Sequence, residues 1–388
     1  MRKLAWFLVI LLLAIVGALA MNVANIRRDA LALVAGADAV AYAEPRITVA
    51  AEPGPPQPKV SPSEAGIDTV AIQQAVDYAA GRDTRALIVG HGGHIVFEKY
   101  WDDSSLDTPV DVSGFTPVLS GLMLGTVMYG DRTVSLDAPL ADYIDAWKND
   151  ERGAVTLREL LSGEGGFVPH DGRPWPGSLA ARYAVRGDLR ATLLAWPRDP
   201  KLPNGATPAD VSADILSLAM EKRLAATYEN ALSANLFRPL GIGGFSMSHD
   251  ATHDTNGRIR AGCCLRMTIG DWMRIGELLA NGGVFEGNQL MPPGFVKQML
   301  SPTREDSPVG WFARVDGQFA TPGVARLESE GKQRLWVVPS LRLVILRIGE
   351  EPPDWDEAMI PDTIIRGTRG WTPTKAGEGV DPNKFAPH

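Results

Sequence analysis

The sequence has few cysteines, few histidines and no excess of positive charge. Its 388 residues include 2 Cys and 6 His, and the formal net charge is −8. No basic cluster offers the positive face that nucleic-acid binding requires, which excludes that class of partner. Cys263 and Cys264 are adjacent and cannot form a disulfide framework. We expect two small buried thiols there, with a redox-switching vicinal disulfide as the alternative.

The N-terminus carries a long apolar run. Leu4–Met21 contains no charge and is just long enough for a tilted transmembrane helix. Ala18-Leu-Ala20 also offers a signal-peptide cleavage site. We therefore predict a signal or membrane anchor over 1–21, with a retained anchor favoured. The protein would then face the periplasm from the bacterial inner membrane, or be periplasmic if the segment is cleaved.

Composition divides the rest of the chain into three parts. Residues 22–61 are rich in Ala and then in Pro, which is typical of a stiff spacer. Residues 371–388 are polar with Pro and Gly, and we predict a disordered tail. The remaining residues, 62–370, are predicted to form the globular domain, and they are numerous enough to bury a sizeable core.

Hydrophobic patterns within 62–370 predict a mixed α and β domain. Two strands, Ala86–Gly90 and His94–Trp101, flank a Gly-rich turn, and a later hairpin pairs Arg334–Pro339 with Arg342–Ile348. Helical periodicity and end signals predict helices over Asp68–Ala80, Thr116–Met128, Thr156–Leu161, Ala209–Lys222, Thr227–Leu236, Thr268–Leu279 and Pro293–Leu300. Strands at both ends with helices between them predict an antiparallel sheet closed by both ends of the chain.

Six segments resemble, in the right order, those of a known hydrolase family. They are Ala86–Tyr100, Ser135–Tyr143, Val155–Ser162, Leu236–Ile242, Thr268–Gly276, and the pair Leu335–Pro339 and Leu343–Leu346. Together they resemble the serine β-lactamase-like hydrolases, the class C and penicillin-recognising group that includes esterases and amide hydrolases. The resemblance implies an α/β (α+β) β-lactamase/transpeptidase-like fold. It consists of an antiparallel sheet flanked by helices, plus a helical region that carries residues 113–240.

The serine and lysine of the family's S-x-x-K motif have no clear counterpart. In that motif the serine opens a helix, and the lysine one turn later takes its proton. A gap-free register puts Gly114 at the serine and Pro117 at the lysine. A shift of one residue puts Ser113 and Thr116 there instead, and Thr is not a base near neutral pH. We therefore expect Ser113 to be a helix N-cap, and its use as a nucleophile is the alternative.

The two other catalytic motifs of the family are also degenerate. Pro208 and Asp210 stand where the resemblance places the Y-x-N motif, whose tyrosine helps to move the proton. Glu328, Ser329 and Glu330 stand where it places K-T-G or H-x-G, on the strand beside the pocket. Acidic groups at that strand are expected to repel the carboxylate that the family's lysine attracts.

Two further sets of residues could carry chemistry, although simpler interpretations are favoured. Glu164 and His170 belong to a loop that borders the pocket in this family and could supply a replacement acid or base. A solvated polar loop is the favoured interpretation. His249 and His253 have the spacing of a helical metal site, but their segment has the composition of a loop and no third ligand is placed. We therefore predict neither a metal nor a cofactor.

These observations predict a catalytically impaired pseudoenzyme. It would keep the family's pocket and bind a small-molecule or cell-wall-derived ligand, or a partner, in the periplasm. The alternative is an active esterase-, amidase- or peptidase-like serine hydrolase in which Ser113 works with a non-standard base. A structural module that holds a partner near the membrane is a third possibility, and the sequence does not indicate an oligomeric state.

Overall fold

The structure is a computed structural model that describes residues 10–11, 46–170, 178–184, 188–203, 206–250, 257–302, 310–316 and 319–373. Within these ranges, no helix has the length and apolar character needed to cross a membrane. Apart from Ile10 and Leu11, the predicted anchor lies outside the described residues. The predicted tail also lies outside them from residue 374 onward.

The chain divides into two compact units. The smaller unit consists of Met1–Ile47, Pro169–Pro197 and Ser248–Arg260, and the larger one of Thr48–Val168, Arg198–Met247 and Ala261–His388. The sequence pattern does not indicate this division, because each unit is assembled from segments that are far apart along the chain.

The strands form two sheets and a small hairpin. They are β1 (Arg46–Val49), β2 (Thr84–His91), β3 (His94–Tyr100), β4 (Pro109–Asp111), β5 (Phe245–Ser248), β6 (Leu265–Thr268), β7 (Val284–Phe285), β8 (Asn288–Gln289), β9 (Arg314–Asp316), β10 (Val324–Ser329), β11 (Gln333–Val338) and β12 (Leu343–Gly349). The main sheet has six strands in the order β3-β2-β12-β11-β10-β9, and the second sheet has the order β1-β5-β6-β4.

The main sheet is antiparallel and joins the two ends of the domain. Ile345 of β12 pairs with Val89 of β2 on one side and with Trp336 of β11 on the other. This pairing confirms the predicted closure of one sheet by early and late strands. The second sheet was not predicted, because its strands are only three or four residues long and offer little periodicity.

The helices agree with most of the predicted positions. They are α1 (Thr69–Ala80), α2 (Pro117–Gly130), α3 (Leu157–Leu161), α4 (Leu179–Ala184), α5 (Leu189–Leu194), α6 (Ala209–Leu224), α7 (Tyr228–Leu232), α8 (Ile269–Ala280), α9 (Phe295–Met299) and α10 (Met359–Arg366). Single 3-10 turns span Ser113–Phe115, Leu140–Asp142, Asp145–Trp147, Glu151–Ala154, Arg238–Leu240 and Pro339–Leu341, and a π turn spans Ser233–Phe237.

Side-chain caps explain where several helices begin. The Asp68 carboxylate accepts the N–H of Val70 at the start of α1. Thr156 and Thr268 each form a capping box at the start of α3 and α8. These caps satisfy N–H groups that would otherwise lack partners, which is why the starts of these helices could be predicted closely.

The core of the larger unit lies on both faces of the main sheet. On one face, α1 and α10 pack together over buried side chains of the sheet, including Leu87, Trp336 and Ile345. On the other face, α8 lies against β11 and β12. An ideal Cβ on Gly276 of α8 would lie 2.4 Å from Val344 Cγ1, so a glycine is required for this close packing.

Part of the predicted spacer lies against the larger unit. The N–H of Gly54 donates to the carbonyl of Gly241 at 2.9 Å. The segment at Pro58 and Val60 exchanges backbone hydrogen bonds with Ile95 of β3. This pairing covers the edge strand of the main sheet, which would otherwise present unpaired backbone groups. The folded region therefore starts before residue 62.

The smaller unit is organised around aromatic rings. Tyr183 lies 5.2 Å from Trp196 and 5.3 Å from His170, measured between ring centroids. The guanidinium of the buried Arg260 lies over the Tyr183 ring. The carboxylate of Asp250 accepts backbone N–H groups at both Leu189 and Arg258, which hold two segments of this unit together.

Candidate functional site

A cavity of about 360 Å³ opens in the larger unit, beside the 3-10 turn that precedes α2. Its wall is built from five segments: that turn, the end of α3, the start of α6, the region around β9, and β10. The lining residues are Gly114, Leu161, Ser162, Gly163, Ala206, Thr207, Pro208, Ala209, Ser212, Gly310, Phe312, Ala313, Arg314, Arg326 and Glu328. The cavity therefore joins residues from all three of the degenerate motif positions.

Gly114 lies in the cavity wall and packs tightly against β10. An ideal Cβ at this position would lie 2.0 Å from the carbonyl oxygen of Glu328 and 3.0 Å from the Cα of Ser329. The N–H of Gly114 donates to Ser329 Oγ at 3.2 Å. The backbone thus occupies the space that a side chain at residue 114 would need.

Ser113 is not part of the cavity wall, and its hydroxyl is already engaged. Ser113 Oγ accepts the backbone N–H of Cys264 at 3.2 Å and lies 3.8 Å from Cys264 Sγ. The prediction that Ser113 caps the helix is wrong, because α2 begins only at Pro117, after a separate 3-10 turn. The Ser113 hydroxyl accepts the backbone N–H of Cys264 instead of an N–H of α2.

Thr116 and Pro117 are both buried at the start of α2. Pro117 occupies the first turn of the helix, where a missing N–H is tolerated. Thr116 Oγ1 is buried and has no hydrogen-bond partner in the described part of the chain. Neither side chain lines the cavity, so neither lies where it could take a proton from a group inside it.

The start of α6 forms another part of the wall. Pro208 is the N-cap residue of α6 and lines the cavity, whereas Asp210 does not. The Oδ1 atom of Asp210 accepts the N–H of Val211 at 2.8 Å. One turn into α6, the buried Ser212 also lines the cavity, and its hydroxyl has no partner among the described residues. A buried hydroxyl without a partner at a cavity is a place where water or a ligand can bind.

The strands β9 and β10 bring charge to the cavity. Arg314 and Arg326 are directly opposite each other in the sheet register. Both guanidinium groups contact Glu328 Oε1, with Nε–O distances of 3.5 Å from Arg314 and 2.5 Å from Arg326. The wall therefore contains two arginines and one glutamate, and Arg326 also pairs with Glu357, which is not among the lining residues, at 3.5 Å.

The two arginines of this wall weigh against the expected repulsion of carboxylates. The prediction considered Glu328 and Glu330 without the arginines on the neighbouring positions. Glu328 is neutralised by Arg326 and Arg314. Glu330 is exposed in the turn after β10, where its carbonyl accepts the N–H of Gln333.

The remaining candidates are not among the residues that line the cavity. Glu164 is half-buried after α3, and His170 belongs to the smaller unit, where it contacts Tyr183 and Trp196. Tyr228 is fully buried, and its hydroxyl lies 2.7 Å from Ser120 Oγ. This contact gives Tyr228 a structural role in the scaffold.

The two cysteines form a disulfide with each other. The prediction of two buried thiols is therefore wrong, and the alternative of a vicinal disulfide holds as far as the bond itself is concerned. A disulfide between adjacent cysteines is hard to predict from a sequence, because it requires an unusual backbone conformation. Among the described residues, no group of three His, Cys, Asp or Glu side chains could hold a metal ion.

Comparison with known proteins agrees with the fold. The profile of the Beta-lactamase family matches residues 71–290, more than half of the chain. The chain belongs to this family of serine hydrolases. None of the curated proteins matches it significantly.

Solved structures of the same fold are only distantly related in sequence. A Bacillus anthracis protein assigned as a 6-aminohexanoate-dimer hydrolase has a TM-score of 0.63 at 16% identity, covering 82% of this chain and 88% of its own. A penicillin-binding protein homologue of Caulobacter crescentus gives 0.58 at 14% identity, covering 76% and 94%. A penicillin-binding protein of Bacillus halodurans gives 0.55 at 12% identity, covering 76% and 98%. These similarities support the fold alone.

Sequence reasoning missed the residues that give the cavity its polarity. Arg314, Arg326 and Ser212 belong to no motif of the family. Periodicity offered a signal for Arg326 alone, because an arginine two residues before Glu328 on the same strand must face the same side of the sheet. Arg314 lies on the separate strand β9 and gave no such signal. Ser212 gave no signal, since a serine in a helix is commonplace.

Proposed function

We propose that this chain is a non-catalytic member of its family that binds a small anionic ligand in the 360 Å³ cavity. The observation that carries the proposal is Gly114. It stands in the wall at the position that the gap-free register assigns to the nucleophile, and the backbone of β10 fills the space where a side chain would be.

Nucleophilic catalysis needs a hydroxyl and a base within hydrogen-bond reach. Three hydroxyl-bearing residues line the cavity, Ser162, Thr207 and Ser212. The hydroxyl of Ser162 donates to the carbonyl of Glu159, and that of Thr207 accepts the N–H of Phe167. Among the lining residues that the structure describes, there is no Lys, His or Tyr that could act as a base. The alternative, an active hydrolase that uses Ser113, requires this hydroxyl to leave the N–H of Cys264.

The charged wall indicates the class of ligand. Like charges directly opposite each other in a sheet destabilise it unless an anion lies between them. Glu328 fulfils that role for both arginines, and Arg326 is also paired with Glu357. The Arg314 side chain is 44% exposed and lines the cavity, so its guanidinium is the one that a ligand could reach. A carboxylate could form a bidentate pair with a guanidinium, so a carboxylate-bearing, cell-wall-derived fragment fits the wall.

We further propose that the protein works in the periplasm, held at the inner membrane by the apolar N-terminal run or released from it. The Cys263–Cys264 disulfide supports this location, because disulfides persist in oxidising compartments such as the bacterial periplasm.

Two measurements on the purified full chain test the proposal. The first is turnover of a chromogenic ester and a chromogenic lactam. Rates equal to those of heat-denatured protein are expected, and turnover above that control would contradict the loss of catalysis.

The second measurement is titration calorimetry with acetyl-D-Ala-D-Ala and with its C-terminal amide. The free carboxylate should bind more tightly than the amide. Arg314→Gln should weaken that binding about tenfold, the effect of one lost charge-assisted hydrogen bond. Lys297→Gln removes a positive charge from α9, outside the cavity wall, and should leave the affinity unchanged. Equal affinities for acid and amide would contradict the proposed ligand class.

A further inference from the structure

The bonded pair Cys263 and Cys264 lies directly beside the segment that carries the family's nucleophile. Cys263 is partly exposed, whereas Cys264 is buried. The backbone of Cys264 has a φ of 66°, in the left-handed region that residues other than glycine seldom adopt. Such a conformation persists only where the surrounding structure holds it. The pair is thus kept in a conformation that the chain would not adopt by itself.

Both ends of this short segment are fixed to the larger unit. Before the pair, the N–H groups of Ala261 and Gly262 donate to Oδ1 of the fully buried Asp214 at 2.6 and 3.2 Å. After the pair, β6 begins at Leu265 and is hydrogen-bonded to β4 and β5. A chemical change at the disulfide is therefore confined to the two cysteines and their immediate contacts.

Ser113 makes two contacts with the buried cysteine. Its Oγ atom accepts the N–H of Cys264 and lies 3.8 Å from Cys264 Sγ. A sulfur in a disulfide carries no hydrogen, so the Ser113 hydroxyl is the donor in the second contact. A hydroxyl in this position would stabilise negative charge that develops on Cys264 Sγ.

We propose that Cys263–Cys264 is a redox-active site that undergoes thiol–disulfide exchange with a dithiol, and that Ser113 assists the exchange. A thiolate of the dithiol attacks the accessible Sγ of Cys263, the bond between the two cysteines breaks, and its electron pair goes to Cys264 Sγ. The second thiol of the reagent then displaces Cys263 and closes the reagent's own disulfide. The two protons of the dithiol end on the two cysteines. This activity goes beyond the binding of a ligand and does not depend on it.

Opening of the disulfide can also affect the cavity. Ser113 is joined to Gly114 of the cavity wall by one peptide bond. Once the disulfide is open, Cys264 can leave its left-handed conformation and withdraw its N–H from Ser113. The redox state of the pair would then change the hydrogen bonding of Ser113, the immediate neighbour of Gly114 in the cavity wall.

The test is the rate at which dithiothreitol reduces the folded full chain. Samples are quenched with iodoacetamide at intervals, and intact mass counts the alkylated cysteines. Wild-type protein should acquire two carbamidomethyl groups while circular dichroism remains unchanged, and exchange of the unalkylated reduced protein into oxidised glutathione should restore the disulfide, with glutathione taking up the two electrons. A bond that is reduced only when the protein unfolds would overturn the proposal.

Variants of Ser113 test whether its hydroxyl assists the thiol–disulfide exchange. Ser113→Ala should slow reduction about threefold to tenfold, because the departing thiolate loses a hydrogen bond. Ser113→Thr keeps the hydroxyl and should restore most of the rate. Ser135→Ala serves as the control, since this exposed serine contacts the N–H of Asp137 and not the cysteines. Equal rates for Ser113→Ala and Ser135→Ala would show that Ser113 has no part in the exchange.

Discussion

Replacement of Gly114 by alanine tests how closely the backbone of β10 fills the place of a nucleophile. The added Cβ would lie 2.0 Å from the carbonyl oxygen of Glu328, a separation that no unstrained contact allows. The strand β10 cannot simply move away, because it is hydrogen-bonded to β9 on one side and β11 on the other. Overpacking of this kind costs about 1–3 kcal/mol, and we expect the upper end of that range.

The assay is urea unfolding followed by tryptophan fluorescence, with Gly130→Ala as the matched control. Gly130 ends α2, and an added Cβ there meets no atom within 4 Å. This control should be unchanged or more stable by up to about 1 kcal/mol, since alanine favours a helix over glycine. If Gly114→Ala proved as stable as Gly130→Ala, the backbone would not block residue 114, and the argument against a nucleophile there would fail.

Three further predictions concern the scaffold. Tyr228→Phe removes the buried hydroxyl that lies 2.7 Å from Ser120 Oγ. It should lower the free energy of unfolding by about 1–2 kcal/mol and leave ligand affinity unchanged. Weaker ligand binding would instead show that this tyrosine belongs to the ligand site. Burial raises the pKa of Asp362 to about 6. Because the pKa of Asp362 is higher in the folded than in the unfolded protein, ionisation of this carboxyl group destabilises the fold. The free energy of unfolding is therefore highest below about pH 4 and falls as the pH rises through about 6. Asp362→Asn should therefore gain roughly 3 kcal/mol relative to wild type between those pH values, and parallel pH–stability curves would refute this. The buried Arg347 donates to Thr84 Oγ1 and to the carbonyls of Gly331 and Lys332, among others. Arg347→Lys should lower the melting temperature by several degrees, because one ammonium cannot reach all of these acceptors, and an unchanged melting temperature would contradict it.

The sequence was informative wherever local chemistry determines the structure. The Asp68 and Thr268 caps and the apolar runs of β2 and β3 on either side of a Gly-rich turn are local signals, and the predicted elements agree with the structure there. The family resemblance supplied the long-range order, which periodicity alone cannot give. Short strands such as β4 and β6 escaped prediction because their stability comes from partners that are distant in the sequence.

The candidate site was predictable in position but not in polarity or bonding. Gly114, Pro208 and Glu328 all meet at one cavity, as the order of the family's motifs implies. The charge of its wall depends on the cross-strand pairing of Arg314 with Arg326, which a linear motif does not contain. Likewise, the contact of Ser113 with Cys264 joins residues 151 positions apart, so no local pattern could reveal it.

The most direct test of the central claim is covalent labelling of the folded full chain with a fluorophosphonate and with a fluorescent penicillin, each read by intact mass. The account predicts no adduct with either reagent, because Gly114 offers no hydroxyl and the Ser113 hydroxyl is engaged by Cys264. A stoichiometric adduct that disappears in Ser113→Ala would contradict it and would establish Ser113 as a working nucleophile.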